Sequence, residues 1–136
     1  MIPLTAQEDG VRRLLIDRRL SFEQHHVFDL ARLGRLSVDF LIFHGPGIVL
    51  ECTACSSKRG RALSEVRRRA AFMDYRFRIL KTALPKLLCG ACVEASGEDQ
   101  TRLANELRQV LWSADFFART GSELAAELSG ILRSGR

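Results

Sequence analysis

The sequence predicts an α/β domain with a small mixed β-sheet flanked by helices. Two apolar runs rich in β-branched and aromatic residues, 37–43 and 48–53, flank the turn His44-Gly45-Pro46-Gly47, as in a β-hairpin. A long helical pattern then leads to a third apolar run, 87–93, and a connection of that length favours parallel pairing. The sheet should therefore join an antiparallel hairpin to a parallel strand through a helical crossover.

The other elements follow from apolar spacing and from residues that start or stop helices. Ser21-Phe22-Glu23-Gln24 has the pattern of a capping box and predicts a helix that stops at Gly34. Pro85 ends the longest helix. In chain order we expect helix 5–19, helix 21–33, hairpin 36–55, a polar loop at 56–60, helix 61–83, strand 87–94, and helices 98–117 and 122–133.

Length and composition fit one folded domain, 1–136. The chain has 136 residues, of which 46% are hydrophobic and 27% charged, which is ordinary for a globular protein. No apolar run approaches the roughly 20 residues that span a bilayer. The N-terminus lacks a basic segment followed by an apolar one, so no secretory signal is visible. We expect a cytoplasmic protein with no membrane association.

The positive charge is concentrated in the middle of the chain. The net charge is +5, but residues 51–90 alone carry ten basic and three acidic groups, a local +7. Such a concentration favours a polyanionic partner, and nucleic acid is the first candidate. The alternative is that these arginines only solvate helices.

Each strand of the predicted hairpin carries one acidic residue, Asp39 in the first and Glu51 in the second. A register that pairs the strands brings the two side chains together on one face. Two carboxylates in an apolar setting repel each other, and a divalent cation relieves that repulsion. The alternatives are a strand-edge role for Asp39 and a salt bridge from Glu51 to an arginine.

The order of elements, with Asp39 and the segment Glu51-Cys52-Thr53, resembles the core of the PD-(D/E)xK nuclease superfamily over about residues 20–95. This superfamily has the restriction-endonuclease-like fold, and its archaeal Holliday-junction resolvases are the nearest in style. The resemblance implies that Asp39 and Glu51 hold Mg²⁺ and that Glu23, on the preceding helix, joins the site. The helices at about 98–133 lie outside it.

The resemblance departs from the family at the lysine that helps to activate the attacking water, because Thr53 stands there. Lys58 on the next loop, or Arg68 on the crossover helix, is a candidate replacement. Lys58, Arg59, Arg61 and Arg68 are also candidates to hold the nucleic-acid backbone. The expected function is metal-assisted phosphodiester cleavage, or nucleic-acid binding by a catalytically degraded relative.

Four cysteines form two CxxC pairs, Cys52/Cys55 and Cys89/Cys92. This pattern is typical of structural Zn²⁺ sites, but both pairs overlap predicted strands, where positions i and i+3 point to opposite faces. A cross-strand disulfide and four buried thiols are therefore ranked above zinc. A zinc- or disulfide-stabilised, non-catalytic interaction or dimerisation module is the competing function.

The crossover helix carries a second apolar patch, Phe72, Tyr75 and Ile79, beside Arg68. These rings could stack on nucleic acid. Cover by neighbouring helices or by a second copy of the chain is favoured, so a homodimer is expected.

Overall fold

The computed structural model describes residues 6–56, 62–96 and 100–133. It contains four helices, five strands and a short 3-10 turn within these ranges. In chain order they are α1 (Ala6–Asp17), β1 (Phe22–Asp29), the 3-10 turn (Ala31–Leu33), β2 (Arg35–Ile42), β3 (Ile48–Ser56), α2 (Ala62–Ala83), β4 (Leu88–Ser96), α3 (Gln100–Val110), β5 (Phe116–Ala118) and α4 (Gly121–Arg133).

The strands form one mixed sheet in the order β1-β2-β3-β4-β5. β1, β2 and β3 pair antiparallel in succession, whereas β3, β4 and β5 are parallel. α2 makes the crossover from β3 to β4, and the two strands then pair along their whole length, from Ile48↔Leu88 to Ser56↔Ser96. The predicted α/β class, hairpin, crossover helix and parallel strand are confirmed.

Two apolar cores lie on opposite faces of the sheet. The first packs α2 and α3 on one face, with Phe77, Leu80 and Leu107 at its centre. The second packs α1 and α4 on the other face, with Leu15 and Leu128 fully buried. Among the described residues, no helix combines the length and apolar character needed to cross a membrane.

The predicted helix at 21–33 is wrong, because residues 22–29 form β1. Seven pairs join β1 to β2, and the Phe22 ring lies 6.0 Å from that of Phe40 across the ladder. His26 and Phe28 are two residues apart and share a face of the strand, and their rings stack edge to face with centroids 4.6 Å apart. A capping box is a local signal, and cross-strand pairing has overridden it here.

The predicted helix at 98–117 is too long, because α3 ends at Val110 and residues 116–118 form β5. Asp115 connects this edge strand to β4. Its backbone N–H donates to the Cys89 carbonyl at 2.7 Å, and its carboxylate accepts from the Cys89 N–H at 2.8 Å. Three residues are too few to show strand periodicity in a sequence.

Candidate functional site

β2 and β3 separate partway along the sheet, and the two predicted acids lie at that point. The strands pair at only three positions, of which Phe40↔Leu50 is the last. Immediately beyond it, Asp39 Oδ2 accepts a hydrogen bond from the Cys52 N–H at 2.7 Å. The Asp39 side chain thus replaces the strand backbone as the partner of β3.

Glu51 lies next to Asp39 and is buried, with 7% of its surface exposed. Arg76 of α2 donates from Nη2 to Glu51 Oε1 at 2.8 Å, and the same nitrogen donates to the Ser37 carbonyl of β2. A residue of the crossover helix therefore bridges the two separating strands. Asp39, Glu51 and Arg76 together form what is termed here the β2–β3 fork.

Ionising both acids of the β2–β3 fork at once is unfavourable in free energy. Burial raises the pKa of Glu51 to about 8, the nearby Asp39 charge raises it as well, and Arg76 opposes both effects. The two carboxyl groups also hydrogen-bond to each other. Burial therefore favours the protonated form of Glu51 at neutral pH.

β1 and α1 bring two further titratable groups toward the neighbouring part of the sheet. The β1–β2 pairs run from Gln24↔Phe40 to His26↔Val38, and His25 between them has a φ of 53°. Its Nε2 lies 3.4 Å from Glu8 Oε2 of α1. Glu8 acts electrostatically on the Cys52 thiol, whose side chain lies on the α1 face of the sheet, whereas Glu51 contacts Arg76 of α2 on the other face.

The structure brings together some of the predicted site residues and leaves others apart. Asp39 and Glu51 meet, and Glu51 also forms the ion pair with an arginine that the alternative interpretation expected. Glu23 lies on β1 rather than on a helix, half exposed and 3.3 Å from His26. Arg68 is exposed on α2. Lys58, Arg59 and Arg61 lie outside the described residues.

Sequence reasoning missed Arg76. Arg76 lies 25 residues after Glu51, and only the crossover of α2 back over the sheet makes them neighbours.

The described residues contain no group of three or more His, Cys, Asp or Glu side chains placed to hold a metal ion. The acids of the β2–β3 fork provide only oxygen donors, which suit Mg²⁺ rather than Zn²⁺. Mg²⁺ retains several waters, so two carboxylates form a sufficient protein contribution. The donor chemistry therefore fits magnesium.

The described cysteines do not converge on one point. Cys52 and Cys92 are register partners on the α1 face of the sheet, whereas Cys89 belongs to the core under α2. All three are free thiols, and the side chain of Cys55 lies outside the described residues. A hydrogen bond with Cys92, together with burial, raises the pKa of Cys52 far above its usual value, and burial raises that of Cys89 to about 12. These groups behave as buried neutral thiols.

Two cavities in the described part of the chain lie away from the acids. One, of about 480 Å³, lies between α1, β4 and α4 and is lined in part by Gln7, Cys92 and Arg119. The other, of about 650 Å³, is largely apolar and lies between the β2–β3 turn and the α2–β4 loop. Neither contains paired acids, so the β2–β3 fork is the stronger candidate for chemistry.

No protein-family model matches the chain, and a search of curated proteins found no match. The β2–β3 fork and the resemblance carried by its residues are therefore the indications of function.

Proposed function

We propose that this chain is a nuclease-like protein that acts on or binds nucleic acid, with Mg²⁺ held by Asp39 and Glu51. The observation that carries the proposal is the meeting of these two carboxyl groups at the β2–β3 fork, where burial disfavours their joint ionisation. Acids with perturbed pKa values cluster at functional sites. Arg76 offsets only part of the cost of burying Glu51 beside Asp39, and a divalent cation would offset the rest.

The resemblance to PD-(D/E)xK nucleases supports the proposal in a modified form. The order α1-β1-β2-β3-α2-β4 agrees with a helix before the sheet, two acid-bearing strands and a crossover helix. The helix acid of the family has no counterpart among the described residues at the fork. Glu23 lies on β1, and Glu8 of α1 acts on Cys52, which faces away from Glu51.

Arg76 is the candidate for the positive charge that the motif lysine supplies in the family. Thr53 has no charge, but the Arg76 guanidinium is already 2.8 Å from Glu51. Arginine stays protonated at all working pH values and binds phosphate well, so it would stabilise charge on a phosphodiester rather than accept a proton. A bound Mg²⁺ would polarise the phosphate and acidify a water.

The test is cleavage of single-stranded, double-stranded and branched DNA and RNA with Mg²⁺ or Mn²⁺, comparing wild type with Asp39→Asn. Asparagine is preferred to alanine because its side-chain oxygen still accepts the hydrogen bond from the Cys52 N–H. We expect Asp39→Asn to lower cleavage by roughly a hundred-fold or more, since the metal contributes several kcal/mol.

The matched control is Asp29→Asn, the same chemical change at an exposed acid of β1. It should cleave as the wild type does. Equal cleavage by wild type and Asp39→Asn, or cleavage that persists in EDTA, would contradict the proposed site. Binding without cleavage would identify a degraded relative. The cytoplasmic location and the homodimer remain predictions.

A further inference from the structure

One face of α2 exposes two aromatic rings in the single chain. Phe72 is 63% exposed and Tyr75 55% exposed, so neighbouring helices do not cover them. They lie three residues apart on a helix, which puts them on the same side. Neighbouring exposed apolar side chains often mark the site where a ligand or partner binds.

Each of these rings has an arginine close to its face, and one of the two arginines belongs to the β2–β3 fork. The Arg76 guanidinium lies 5.8 Å from the centre of the Phe72 ring, and the same group contacts Glu51. Arg78 lies 5.9 Å from the centre of the Tyr75 ring. Arg68 is exposed one turn before Phe72. Arg68, Phe72, Tyr75 and Arg76 form the aromatic–arginine face of α2.

We propose that the aromatic–arginine face binds single-stranded nucleic acid by stacking unpaired bases on Phe72 and Tyr75 while its arginines contact the phosphates. The proposal rests on the proposed function and specifies its substrate class. Aromatic rings stack on bases only where the base face is open, which a continuous duplex does not offer. Because Arg76 contacts both Phe72 and Glu51, a strand stacked on the face would continue into the β2–β3 fork.

Charge favours nucleic acid over a second copy of the chain as the occupant. In a twofold dimer this face would meet itself, so its arginines would oppose one another. The only acid with a described side chain on α2 is Asp74, which accepts from the Ser113 N–H at 2.6 Å and lies 3.4 Å from Arg78. Asp74 and Glu51 each offset one arginine of their own chain, Arg78 and Arg76, and both acids are buried, so neither is exposed to pair with Arg68 of a second copy.

The first test measures binding of fluorescein-labelled 20-nucleotide single strands and of the matching duplex by anisotropy, in EDTA so that no metal is needed. We expect the wild type to bind the single strand more tightly than the duplex. The double variant Phe72→Leu, Tyr75→Leu should bind the single strand at least about ten-fold more weakly, because leucine is apolar but offers no aromatic face. Circular dichroism checks that it folds.

The matched control is Phe43→Leu. Phe43 is 55% exposed, as Tyr75 is, but it lies in the β2–β3 turn rather than on α2. This variant should bind as the wild type does. Equal losses in the Phe43 variant and the double variant, or no loss in either, would overturn the proposal.

Tyr75 also provides a direct spectroscopic readout, because the chain contains one tyrosine and one tryptophan. In a Trp112→Phe background, tyrosine emission comes from Tyr75 alone, and an unlabelled thymidine 20-mer should quench it with the same midpoint as the anisotropy. Unchanged emission at saturation would overturn stacking. A dimer seen by sedimentation without nucleic acid, and dissociated by the double variant, would assign the face to a second copy.

These readouts separate this proposal from the proposed function. Binding and quenching in EDTA do not require Asp39, Glu51 or a metal, so an inactive β2–β3 fork leaves them intact. Conversely, metal-dependent cleavage that is insensitive to the double variant would sustain the nuclease proposal and reject the stacking face.

Discussion

Glu51 combines three properties that make its proton part of the stability of the fold. It is buried, it contacts another acid, and the positive charge of Arg76 does not fully offset the effect of these two on its pKa. The pKa of the Glu51 carboxyl has its usual value of 4.5 in the unfolded chain and rises to about 8 in the folded one. The folded state therefore holds a proton that the unfolded state has released across this interval.

This difference predicts how stability varies with pH. Because the folded state binds the extra proton, the free energy of unfolding should fall as pH rises from about 4.5 to about 8, by a few kcal/mol in total. Glutamine at position 51 is neutral at all pH values and can still accept from Arg76. In metal-free buffer, Glu51→Gln should gain stability relative to wild type as pH rises through this range, measured by urea denaturation.

The control for this experiment is again Asp29→Asn, whose curve should run parallel to that of the wild type because Asp29 is exposed. If the Glu51→Gln curve also ran parallel to the wild type, Glu51 would be ionised in the folded protein at neutral pH. The raised pKa of Glu51 in the folded protein would then be rejected.

At the residue scale, the sequence was sufficient to identify the acids but not their partner. Asp39 and Glu51 could be placed together because a hairpin fixes which residues oppose each other. Arg76 could not, since several arginines of α2 are chemically equivalent in the sequence and only the rotation of the helix selects one. Such a choice depends on tertiary packing.

At the element scale, β1 shows where local signals fail. The segment after Ser21 contains a capping-box pattern, yet the aromatic residues Phe22 and Phe28 serve opposite cores of the sheet. Both positions are even, so a regular strand would place them on one face. The positive φ of His25 between them accounts for the change of face. A single irregular residue of this kind obscures both strand and helix periodicity.

Gly90 of β4 gives a prediction about how the elements pack. It is the register partner of Phe116 in β5, and a Cβ at Gly90 would lie 2.0–2.5 Å from atoms of the Phe116 ring. Gly90→Ala should therefore lower the free energy of unfolding by roughly 1–3 kcal/mol, the usual cost of overpacking, as measured by urea denaturation. Adding Phe116→Leu should recover part of the loss.

The same substitution at Gly10 is the matched control. Gly10 lies inside α1, and a Cβ there would meet nothing within 4 Å. Gly10→Ala should raise stability by about 0.5–1 kcal/mol, because alanine favours helix. If Gly90→Ala were as stable as the wild type or more stable, the close approach of β5 to β4 would be wrong.

At the scale of the whole molecule, the architecture could be predicted because the longest helices and strands could be predicted. The hairpin, α2 and β4 have strong periodicity, and a crossover between neighbouring strands leaves few topologies. β5 was not predictable, since three residues join the sheet through Asp115 and the packing of Phe116 rather than through a pattern of their own. The missed strand lies at one edge, and the misassigned β1 lies at the other, where neighbours constrain a strand least.

The uneven charge of the molecule predicts how the affinity for a single strand should depend on salt. This dependence separates specific phosphate contacts from a general effect of positive charge. Arg68 is exposed on the aromatic–arginine face, whereas its neighbour Arg67 pairs with Glu106 of α3 at 3.1 Å. Arg68→Gln and Arg67→Gln each remove one positive charge. Each phosphate contact on a single strand contributes about 0.7 to the slope of log affinity against log salt, so Arg68→Gln should lower that slope by about 0.7 and Arg67→Gln by much less. Anisotropy titrations over a range of KCl concentrations measure both slopes. Equal reductions would mean that net charge, rather than the aromatic–arginine face, attracts the strand.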